Sequence, residues 1–521
     1  MKPNKVVMVA PEFYPQTMVG GLAMAVSGLA KALQSTGTEV HVVIPAYYNE
    51  WNSKSFNKEP FYKPSNSFGQ SQKFSVAHSV VDGINLHHVD CANLGLPFAK
   101  PETYSLDYSP RVTDLARRQA AENLFKSGLV FSSTIPRALE ESGLKDVGLI
   151  HLHEWMTAGA SYWLRQNPAF SGKPILLTIH NANYSGTFPV PKELPRKEPL
   201  FSWVVKDSPY NQMTEGNSLV VDGNPFSSLL EFGLFYADLV NTVSPSEAQE
   251  VLAGRSGVDP KIIEVLRKKG LEGILNGLDH AVMNPKTDPA ITQYDPLDFE
   301  SLSQGKKVNK GRLQEVINSY KSNTWGEKCE KIQINPDCFL VSMMARLTEQ
   351  KSIDEVIQAA EQIKQMEGVQ LLVMGEPCSY DIGEKVKKLS GNAYCYPRFS
   401  GAPLQHLVLG ASDAILAVSR EEPCGYTPME GMRYGCAPIV TMVGGHRDYI
   451  RVFDGENGFG FVVTPEPSQI AKSIDQTNKA FQNKDIWKQI TRNAASEDLS
   501  WQGPRDSLGK YLELYSRVTK E

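Results

Sequence analysis

Short runs of consecutive apolar residues alternate along this chain with longer stretches in which apolar residues recur every three or four positions. The first such series is an apolar run at residues 6–10, a loop with a glycine pair, a helix-like pattern over 22–33 and a second apolar run at 39–45. Short apolar runs are typical of strands that are buried on both faces, and the intervening period is that of an amphipathic helix. This order predicts a βαβ unit that opens a parallel sheet.

The same alternation continues through both halves of the chain. Further strands are predicted at residues 148–152, 175–179, 239–243, 339–344, 369–375, 414–418 and 437–441. A helix is expected to begin near Ile353, after the strand at 339–344. The pattern predicts an α/β protein with two Rossmann-like domains facing a cleft, and it leaves one large sheet as an alternative.

Length and charge narrow the class of protein. A chain of 521 residues exceeds one ordinary core, so two domains are expected and three are possible. With 53 basic and 58 acidic residues the net charge is −5, which gives no indication of a nucleic-acid partner or of a charged membrane surface. No segment approaches the ~20 apolar residues of a membrane span, so no integral membrane segment is expected.

The cysteines bear on metal binding and on location. Seven cysteines are spread along the chain and none forms a Cys-x-x-Cys pair, so neither a zinc site nor a disulfide framework is supported. The apolar run at residues 6–10 is too short for a signal peptide. These observations predict a reduced, cytoplasmic protein without a protein-bound metal.

Two carboxylates, Glu422 and Glu430, are separated by seven residues in the most informative stretch of the chain. The apolar run at 414–418 predicts a buried strand before them, and residues 427–434 have a helix-like pattern. Glu422 is therefore expected in the loop at the carboxyl end of a strand, and Glu430 about two turns along the next helix. Ligands of open α/β sheets bind at that edge, although a solvated loop acid and a surface helix acid are the plainer alternative.

Cationic and glycine-rich loops supply candidates for binding a diphosphate. Arg346 and Lys351 follow the strand at 339–344, and a guanidinium fork beside a lysine suits phosphate oxygens. The pairs Gly20-Gly21 and Gly444-Gly445 precede helix-like stretches, where backbone N–H groups can approach a phosphate. Plain tight turns are the alternative for both glycine pairs.

Several motifs together resemble a known family. Glu-Pro-Cys-Gly at 422–425, Met-Arg-Tyr-Gly at 432–435 and Arg-Leu-x-x-Gln-Lys at 346–351 resemble the donor site of retaining glycosyltransferases with the GT-B fold. Among these enzymes, the motifs most closely resemble those of the bacterial glycogen synthase and plant starch synthase family. The resemblance extends from about residue 5 to residue 515, and its motifs are stronger in the second half.

The resemblance implies roles for particular residues. Arg346 and Lys351 are expected to hold the donor pyrophosphate, Glu422 the sugar hydroxyls and Glu430 the ribose. His180, in a Thr-x-His-Asn block, is expected to contact the donor sugar near the reacting carbon. The expected catalytic set is therefore His180, Arg346, Lys351 and Glu422. The expected donor-binding set is Gly20, Gly21, Gly375, Cys424, Gly425, Tyr426, Thr427, Glu430, Gly444 and Gly445, and the acceptor-side set is Glu154, Trp155 and Asn181.

The first half departs from the family pattern at charged positions. The family's first glycine loop reads Lys-x-Gly-Gly-Leu-Ala-Asp, and in this chain Met18 stands in place of the lysine and Met24 in place of the aspartate. In the family's His-x-His-Asp-Trp block, Glu154 stands in place of the aspartate. A methionine can neither neutralise a phosphate nor donate a hydrogen bond to it. Two alternatives to a glucan synthase therefore stay open: a transferase with a small-molecule, lipid or protein acceptor, and a degenerate GT-B protein that only binds a nucleotide sugar. A sugar-nucleotide epimerase is a more remote third.

The resemblance also implies the reaction and the domain limits. It predicts a retaining, metal-independent hexosyltransferase that uses a nucleotide-diphosphate sugar, a carbohydrate or other hydroxyl acceptor, and no further cofactor. Residues 1–275 are expected to form the acceptor-side domain, 276–330 a hinge with connecting helices and 331–497 the nucleotide-sugar domain. Residues 498–521 are expected to form a helix that crosses back to the first domain. The donor base, the sugar, the acceptor and the oligomeric state do not follow from the sequence.

Overall fold

The chain folds into two compact units. The computed structural model describes residues 3–18, 20–47, 65–68, 72–90, 115–187, 219–221, 224–254, 257–320, 331–387, 389, 392–396 and 402–519. The N-terminal unit comprises Met1–Gly277 with Asp506–Glu521, and the C-terminal unit comprises Leu278–Arg505. These limits differ from those expected, because residues 278–320 belong to the C-terminal unit instead of a separate hinge. Residues 321–330 of the expected hinge lie outside the described part.

The N-terminal unit is built on a nine-stranded sheet. The strands described in this unit are β1 (Lys5–Val9), β2 (Glu39–Pro45), β3 (Ser65–Phe68), β4 (Gln72–Val81), β5 (Ile84–Asp90), β6 (Leu149–His153), β7 (Ile175–Ile179), β8 (Leu219–Val221), β9 (Asn224–Phe226), β10 (Leu239–Thr242) and β11 (Glu272–Gly273). The order in the sheet is β11-β10-β7-β6-β1-β2-β5-β4-β3, and β8 pairs only with β9. All neighbours in the large sheet are parallel except β3–β4 and β4–β5. The parallel strands β1, β2, β6, β7 and β10 were predicted from the sequence, whereas β3, β4, β5, β8, β9 and β11 were not.

The C-terminal unit is built on a separate six-stranded parallel sheet. Its strands are β12 (Phe339–Met344), β13 (Val369–Met374), β14 (Ala393–Tyr396), β15 (Ala414–Ala417), β16 (Ala437–Val440) and β17 (Phe461–Val462), in the order β14-β13-β12-β15-β16-β17. Every pairing in it is parallel. The alternative of one large sheet is therefore wrong, and the prediction of two Rossmann-like sheets is confirmed.

Helices connect the strands of both sheets. They are α1 (Gly21–Ser35), α2 (Leu115–Glu141), α3 (Trp155–Ala158), α4 (Ala160–Gln166), α5 (Leu229–Tyr236), α6 (Pro245–Ala253), α7 (Pro260–Lys269), α8 (Phe299–Ser319), α9 (Ile353–Ile363), α10 (Tyr380–Val386), α11 (Ala402–Ala411), α12 (Tyr426–Arg433), α13 (His446–Tyr449), α14 (Pro467–Gln482), α15 (Lys484–Ser496) and α16 (Ser507–Val518). The central strands β1 and β12 are buried over almost their whole length, because helical connections cover both faces of a parallel sheet.

The strand order places an open edge in each sheet. In the N-terminal unit β1 lies between β2 and β6, and in the C-terminal unit β12 lies between β13 and β15. The connections from two such neighbouring strands leave in opposite directions, so their loops separate and leave a crevice at the carboxyl ends. Most of the residues predicted to bind substrate or to act in catalysis lie in the loops after β1, β6, β12 and β15 or in the helices that follow these loops.

A buried ion pair fixes α8 within the C-terminal unit. Lys310 Nζ lies 2.7 Å from Asp413 Oδ2 and donates to the carbonyl of Cys338 at 2.6 Å. The same carboxylate oxygen accepts the Leu340 amide of β12 at 2.8 Å. A buried lysine requires such partners, because an unpaired charge in the interior is strongly unfavourable. These bonds join α8 to the beginnings of β12 and β15, so this helix packs as part of the C-terminal unit.

A hydrogen-bonded network holds α16 against the sheet of the N-terminal unit. Thr178 Oγ1 donates to Asn241 Oδ1 at 2.6 Å, and Asn241 Nδ2 donates to the Tyr511 hydroxyl at 3.1 Å. Thr178 therefore accepts from His151 Nε2, which lies 2.6 Å away. With its proton on Nε2, His151 accepts the Tyr515 hydroxyl at Nδ1, at 2.8 Å.

Tyr515→Phe should weaken the fold, because it leaves Nδ1 of the buried His151 without a donor. An orphaned buried acceptor costs about 1–3 kcal/mol, so we expect a loss of that size in the free energy of unfolding, measured by urea denaturation. Glu513→Gln is the control, since Glu513 is an exposed residue of the same helix and should change stability by less than ~0.5 kcal/mol. Equal stability of the two variants would contradict the network.

Candidate functional site

The loops after β12 and β15 are joined to each other. The Arg420 amide donates to the Gln350 carbonyl at 2.8 Å, and the Gln350 side chain donates to the Glu421 carbonyl at 3.1 Å. The first loop contains a single 3₁₀ turn, Glu349–Lys351. The two loops on either side of the crevice in the C-terminal sheet are therefore held in one arrangement.

Lys351 and Glu422 meet at this junction. Lys351 Nζ lies 2.5 Å from Glu422 Oε2, and the two side chains are 18% and 14% exposed. Ser419 Oγ donates to the same carboxylate oxygen at 2.8 Å and lies 3.3 Å from Lys351 Nζ. Two of the four residues expected to be catalytic are thus in direct contact, and Ser419, to which the sequence analysis gave no role, completes the group.

Glu422 is ionised in this environment. Burial by itself would raise the pKa of its carboxyl, but the charge of Lys351 and the hydrogen bonds from Lys351 and Ser419 outweigh burial and lower the pKa below its ordinary value. An ionised carboxylate only accepts hydrogen bonds, and it retains acceptor capacity after these two donors are counted. Glu422 can therefore accept hydroxyl groups of a ligand.

Two glycines allow the loops at 422–425 and 444–446 to pack closely. Gly425 has φ +88°, and a Cβ there would lie 2.6 Å from the His446 ring and 2.8 Å from the Tyr449 hydroxyl. A Cβ on Gly445 would lie 2.5 Å from the Cys424 carbonyl oxygen. Glycine is required at both positions because any side chain would meet backbone or buried rings.

The amide of Gly445 is already used within the protein. It donates to the Glu422 carbonyl at 2.8 Å, although the sequence analysis expected it to face the donor phosphates. Gly444, in a left-handed conformation with φ +44°, precedes it. The contacts of this pair thus fix the loop around Glu422, and a phosphate contact by Gly445 would require this bond to be exchanged.

His446 is fully buried beside these loops. Its Nδ1 lies 2.8 Å from the Thr441 carbonyl, which can only accept, so the proton is on Nδ1. Burial lowers the pKa of this imidazole, which is therefore neutral. Its Nε2 has no hydrogen-bond partner among the described residues. No role had been predicted for His446, which directly follows the glycine pair.

Glu430 lies deeper than expected. It is the fifth residue of α12, just over one turn along the helix instead of two, and is 1% exposed. Its Oε2 accepts the side-chain amide of Gln405 at 2.7 Å. Burial raises the pKa of Glu430 to about 7 because no cation pairs with it as Lys351 pairs with Glu422. Its expected contact with a ribose stays a prediction.

The other donor-side residues lie around this group. Arg346, partly exposed, lies two residues after the end of β12, and Gly375 follows the neighbouring β13. A Cβ on Gly375 would lie 1.7 Å from the Ala345 carbonyl oxygen, so glycine is needed for the close approach of the two strand ends. Cys424 and Tyr426 are buried in the segment that leads into α12, and Thr427 is partly exposed there.

In the N-terminal unit Glu154 joins the loops that follow β6 and β7. Its Oε1 accepts the amides of His180 and Asn181 at 2.6 and 2.7 Å, and its Oε2 accepts the amide of Trp155 at 3.2 Å. Burial outweighs these bonds and raises the pKa of Glu154 to about 7. Glu154 has φ +72°, a strained conformation for a residue with a side chain, of the kind that clusters at functional sites.

His180 belongs to a stack of neutral histidines. Its Nε2 lies 3.0 Å from Nδ1 of His153, whose ring lies 4.0 Å from that of His151. Burial lowers the pKa of His180 to about 3, so the ring can act as a hydrogen-bond donor or acceptor but not as a cation. Nε2 of His153 has no partner among the described residues.

The remaining residues expected on the acceptor side and in the first glycine loop have protein partners. Trp155 is part of the hydrophobic core, and Asn181 Oδ1 accepts the Asn183 amide at 3.1 Å. The Gly20 amide faces Glu12 Oε2 at 3.3 Å, and Gly21 begins α1. Met24, where the family pattern has an aspartate, lies on the buried face of α1. The acceptor roles of Trp155 and Asn181 stay predictions.

The described ranges contain neither a metal-binding cluster nor a membrane-spanning helix. Within them, no group of three or more histidine, cysteine, aspartate or glutamate side chains is arranged to hold a metal ion. None of the helices described is long and apolar enough to cross a membrane.

Both halves of the chain match known families. Residues 5–276 match the starch synthase catalytic domain, and residues 326–495 match the glycosyl transferases of group 1. The glycogen synthase of Mannheimia succiniciproducens is 30% identical over 99% of this chain and 100% of its own length. That of Actinobacillus succinogenes is 28% identical, with the same coverage.

Solved structures share the fold. The catalytic domain of starch synthase IV from Arabidopsis thaliana, bound to ADP and acarbose, matches with a TM-score of 0.75, at 23% identity over 100% of both chains. Sucrose-phosphate synthase from Thermosynechococcus elongatus matches with a TM-score of 0.55, at 15% identity over 99% of this chain and 100% of its own. At these identities the likeness is one of fold.

Gly425→Ala should destabilise the protein, because the methyl group meets the His446 ring in a backbone conformation that favours glycine. We expect a loss of at least ~1–3 kcal/mol in the free energy of unfolding. Gly311→Ala is the matched control: Gly311 lies within α8 with open space around it, so alanine should add about 0.5–1 kcal/mol. A Gly425→Ala variant as stable as the wild type would contradict the close packing of the two loops.

Proposed function

Because this chain belongs to the family of starch synthase catalytic domains and is a glycosyltransferase of the GT-B fold, we propose that it extends an α-glucan with hexose from a nucleotide-diphosphate sugar, with retention of configuration. The observation that carries this proposal is the group formed by Lys351, Glu422 and Ser419 at the open edge of the C-terminal sheet. The full-length relatives named glycogen synthase support the glucan acceptor.

The C-terminal unit supplies the groups that a nucleotide-sugar donor requires. The ionised Glu422 would accept hydrogen bonds from the sugar hydroxyls, and Lys351 and Arg346 would face the diphosphate. A lysine ammonium carries three donors, so Lys351 can keep Glu422 as one partner and still bind a phosphate oxygen. Stabilisation of the developing negative charge on the leaving group is commonly the largest catalytic contribution.

The proposed reaction breaks the bond between the sugar C1 and the phosphate oxygen and forms a bond from C1 to the acceptor oxygen. The departing phosphate oxygen takes the proton of the acceptor hydroxyl on the same face of the sugar, which retains the configuration. This route needs neither a carboxylate nucleophile nor a metal on the protein. The neutral His180 is proposed to hydrogen-bond the donor sugar. A cytoplasmic location stays a prediction.

A non-glucan acceptor is the second candidate. Met18 and Met24 favour it, because these apolar side chains stand where the family has a lysine and an aspartate. In addition, the Gly20 amide of the same loop donates to Glu12 and is therefore already used within the protein. An acceptor panel separates the two candidates, because incorporation into maltooligosaccharides supports the first. Transfer only to non-glucan hydroxyl compounds supports the second.

Lys351→Ala and Glu422→Ala should each lower kcat for transfer by about 10²–10³-fold while the chain remains folded, because each removes a group that binds the reacting donor. Radiolabelled sugar incorporation measures the rate, and far-ultraviolet circular dichroism checks the fold. Lys479→Ala is the control, since Lys479 is 74% exposed and pairs with Asp475 on its own helix. Near wild-type turnover in either site variant would overturn the assignment.

Donor binding should stabilise the protein against heat. A ligand at 100 times its dissociation constant adds about 2.7 kcal/mol to the free energy of unfolding, which is a measurable shift in Tm. ADP-, UDP- and GDP-glucose form the panel, with ADP-glucose first because the starch synthase IV structure is bound to ADP. We expect one base to give a clearly larger shift than the others. No shift with any member would argue for a degenerate scaffold.

A further inference from the structure

Gln405 and Glu430 form a buried pair that no motif of the sequence connects. Gln405 lies on α11 and Glu430 on α12, and the two residues are 5% and 1% exposed. The Gln405 side-chain nitrogen lies 2.7 Å from Glu430 Oε2. An ionised carboxylate has only acceptors, so the amide of Gln405 is oriented with its NH₂ group toward Glu430.

Few other polar groups surround this carboxyl among the described residues. His406 is held through its Nδ1, 2.8 Å from Asp288 Oδ2, and the Tyr434 hydroxyl donates to the same aspartate oxygen. The Tyr449 hydroxyl donates to the Gly425 carbonyl at 2.7 Å. Gln405 is therefore the donor that the described side chains offer to Glu430.

Three further elements packed against α12, namely β15, β16 and α15, bury no charged side chain in the part of the chain that the structure describes. Strands β15 and β16 read Ala-Ile-Leu-Ala and Ala-Pro-Ile-Val. The residues that α15 buries are uncharged: Trp487, Ile490, Thr491, Ala494 and Ala495. A carboxyl group in such surroundings with one hydrogen bond is costly to bury. We therefore expect Glu430 to have a function that offsets the cost of its burial. Nε2 of the neighbouring His406 is also buried and lacks a partner in the described ranges, as expected for a polar site.

We propose that Gln405 is a positioning residue that occupies one oxygen of Glu430 and turns the other toward the ribose hydroxyls of the donor nucleotide. This rests on the proposed function, in which a nucleotide-diphosphate sugar is the donor. A ribose presents two neighbouring hydroxyl donors, and a carboxylate whose orientation is fixed is a suitable acceptor for them. A side chain that were free to rotate would lose part of this advantage as conformational entropy.

The protonation of Glu430 provides an independent readout. Burial raises its pKa to about 7, while the electrostatic interaction with His406 and the hydrogen bond from Gln405 oppose that increase. Only the ionised form accepts two hydroxyls, so the preference for a ribose should strengthen as the pH rises through about 7. Loss of the Gln405 donor should move this midpoint to higher pH, because one stabilising bond to the ionised form is gone.

The test compares ribose and deoxyribose ligands on the full chain. Calorimetric titration with ADP, UDP and GDP identifies the diphosphate that binds most tightly, and its 2′-deoxy counterpart is then titrated at several pH values. The ratio of the two affinities cancels the ionisation of the terminal phosphate. We expect the wild type to favour the ribose form by about tenfold or more, as for a hydrogen bond to a charged group.

Gln405→Met keeps the unbranched volume but removes the donor, so it should reduce the ribose preference several-fold and leave the affinity for the deoxy ligand within about twofold. Glu430→Gln, a second variant in case the first folds poorly, should abolish the pH dependence of the ratio. Gln362→Met is the matched control, since Gln362 is an exposed residue of α9 and the ratio should not change.

Distinct results identify which idea fails. An unchanged ratio in Gln405→Met, or an equal loss of affinity for both ligands, would show that Gln405 only packs in the core. A wild type that binds both sugars equally would overturn the ribose role alone. A wild type that binds none of the diphosphates would overturn the proposed function itself.

Discussion

The ion pair between Lys351 and Glu422 is the interaction on which the C-terminal site depends. In a parallel sheet, the connections of two neighbouring strands can leave in opposite directions, so their loops separate and no further strand fills the space between them. Here the loops after β12 and β15 are joined by the Arg420–Gln350 backbone bond and by the ion pair, in which Lys351 Nζ lies 2.5 Å from Glu422 Oε2. Removal of one partner would leave a half-buried charge without compensation.

Backbone packing holds the rest of this site in one conformation. Gly375, Gly425 and Gly445 each lie where a Cβ would meet a carbonyl oxygen or a buried ring. The resulting contacts satisfy backbone groups, as when the Gly445 amide donates to the Glu422 carbonyl. The glycines of this unit therefore serve to bring loops together, and the charge that meets a diphosphate would come from the side chains of Arg346 and Lys351.

The two glutamates of the C-terminal motif show how partners decide the state of a buried acid. Glu422 has a lysine and a serine as donors, and its pKa is lowered despite burial. Glu430, eight positions later, has one amide donor, and burial raises its pKa to about 7. In the N-terminal unit burial similarly keeps His180 neutral. Glu422 is therefore ionised, Glu430 changes its protonation near pH 7 and His180 is neutral. The two glutamates differ in this way although they belong to one short motif.

Local pattern accounts for much of what could be predicted. The parallel strands were predictable because a strand buried on both faces must be apolar over its length, as β1 and β12 are. Strands β3, β4 and β5, which are joined to one another by antiparallel pairings, were missed because they contain no continuous apolar run. The short parallel strands β11, β14 and β17 were missed as well. The division between the two units falls after Gly277, at the start of the expected hinge. That α8 packs into the C-terminal unit did not follow from the sequence, because Lys310 reads as a surface lysine until its partner, Asp413, is known.

The sequence by itself determined the two α/β halves, the family resemblance and the identity of Lys351 and Glu422, because these depend on periodicity and on residues close together in one motif. Only the tertiary structure decided the pairs that join distant segments. Tyr515 meets His151 across 364 positions and Gln405 meets Glu430 across 25. Hydrogen bonds are directional and short, so the partner of a buried polar group is decided by how helices and strands pack, and the sequence near that group carries no record of it.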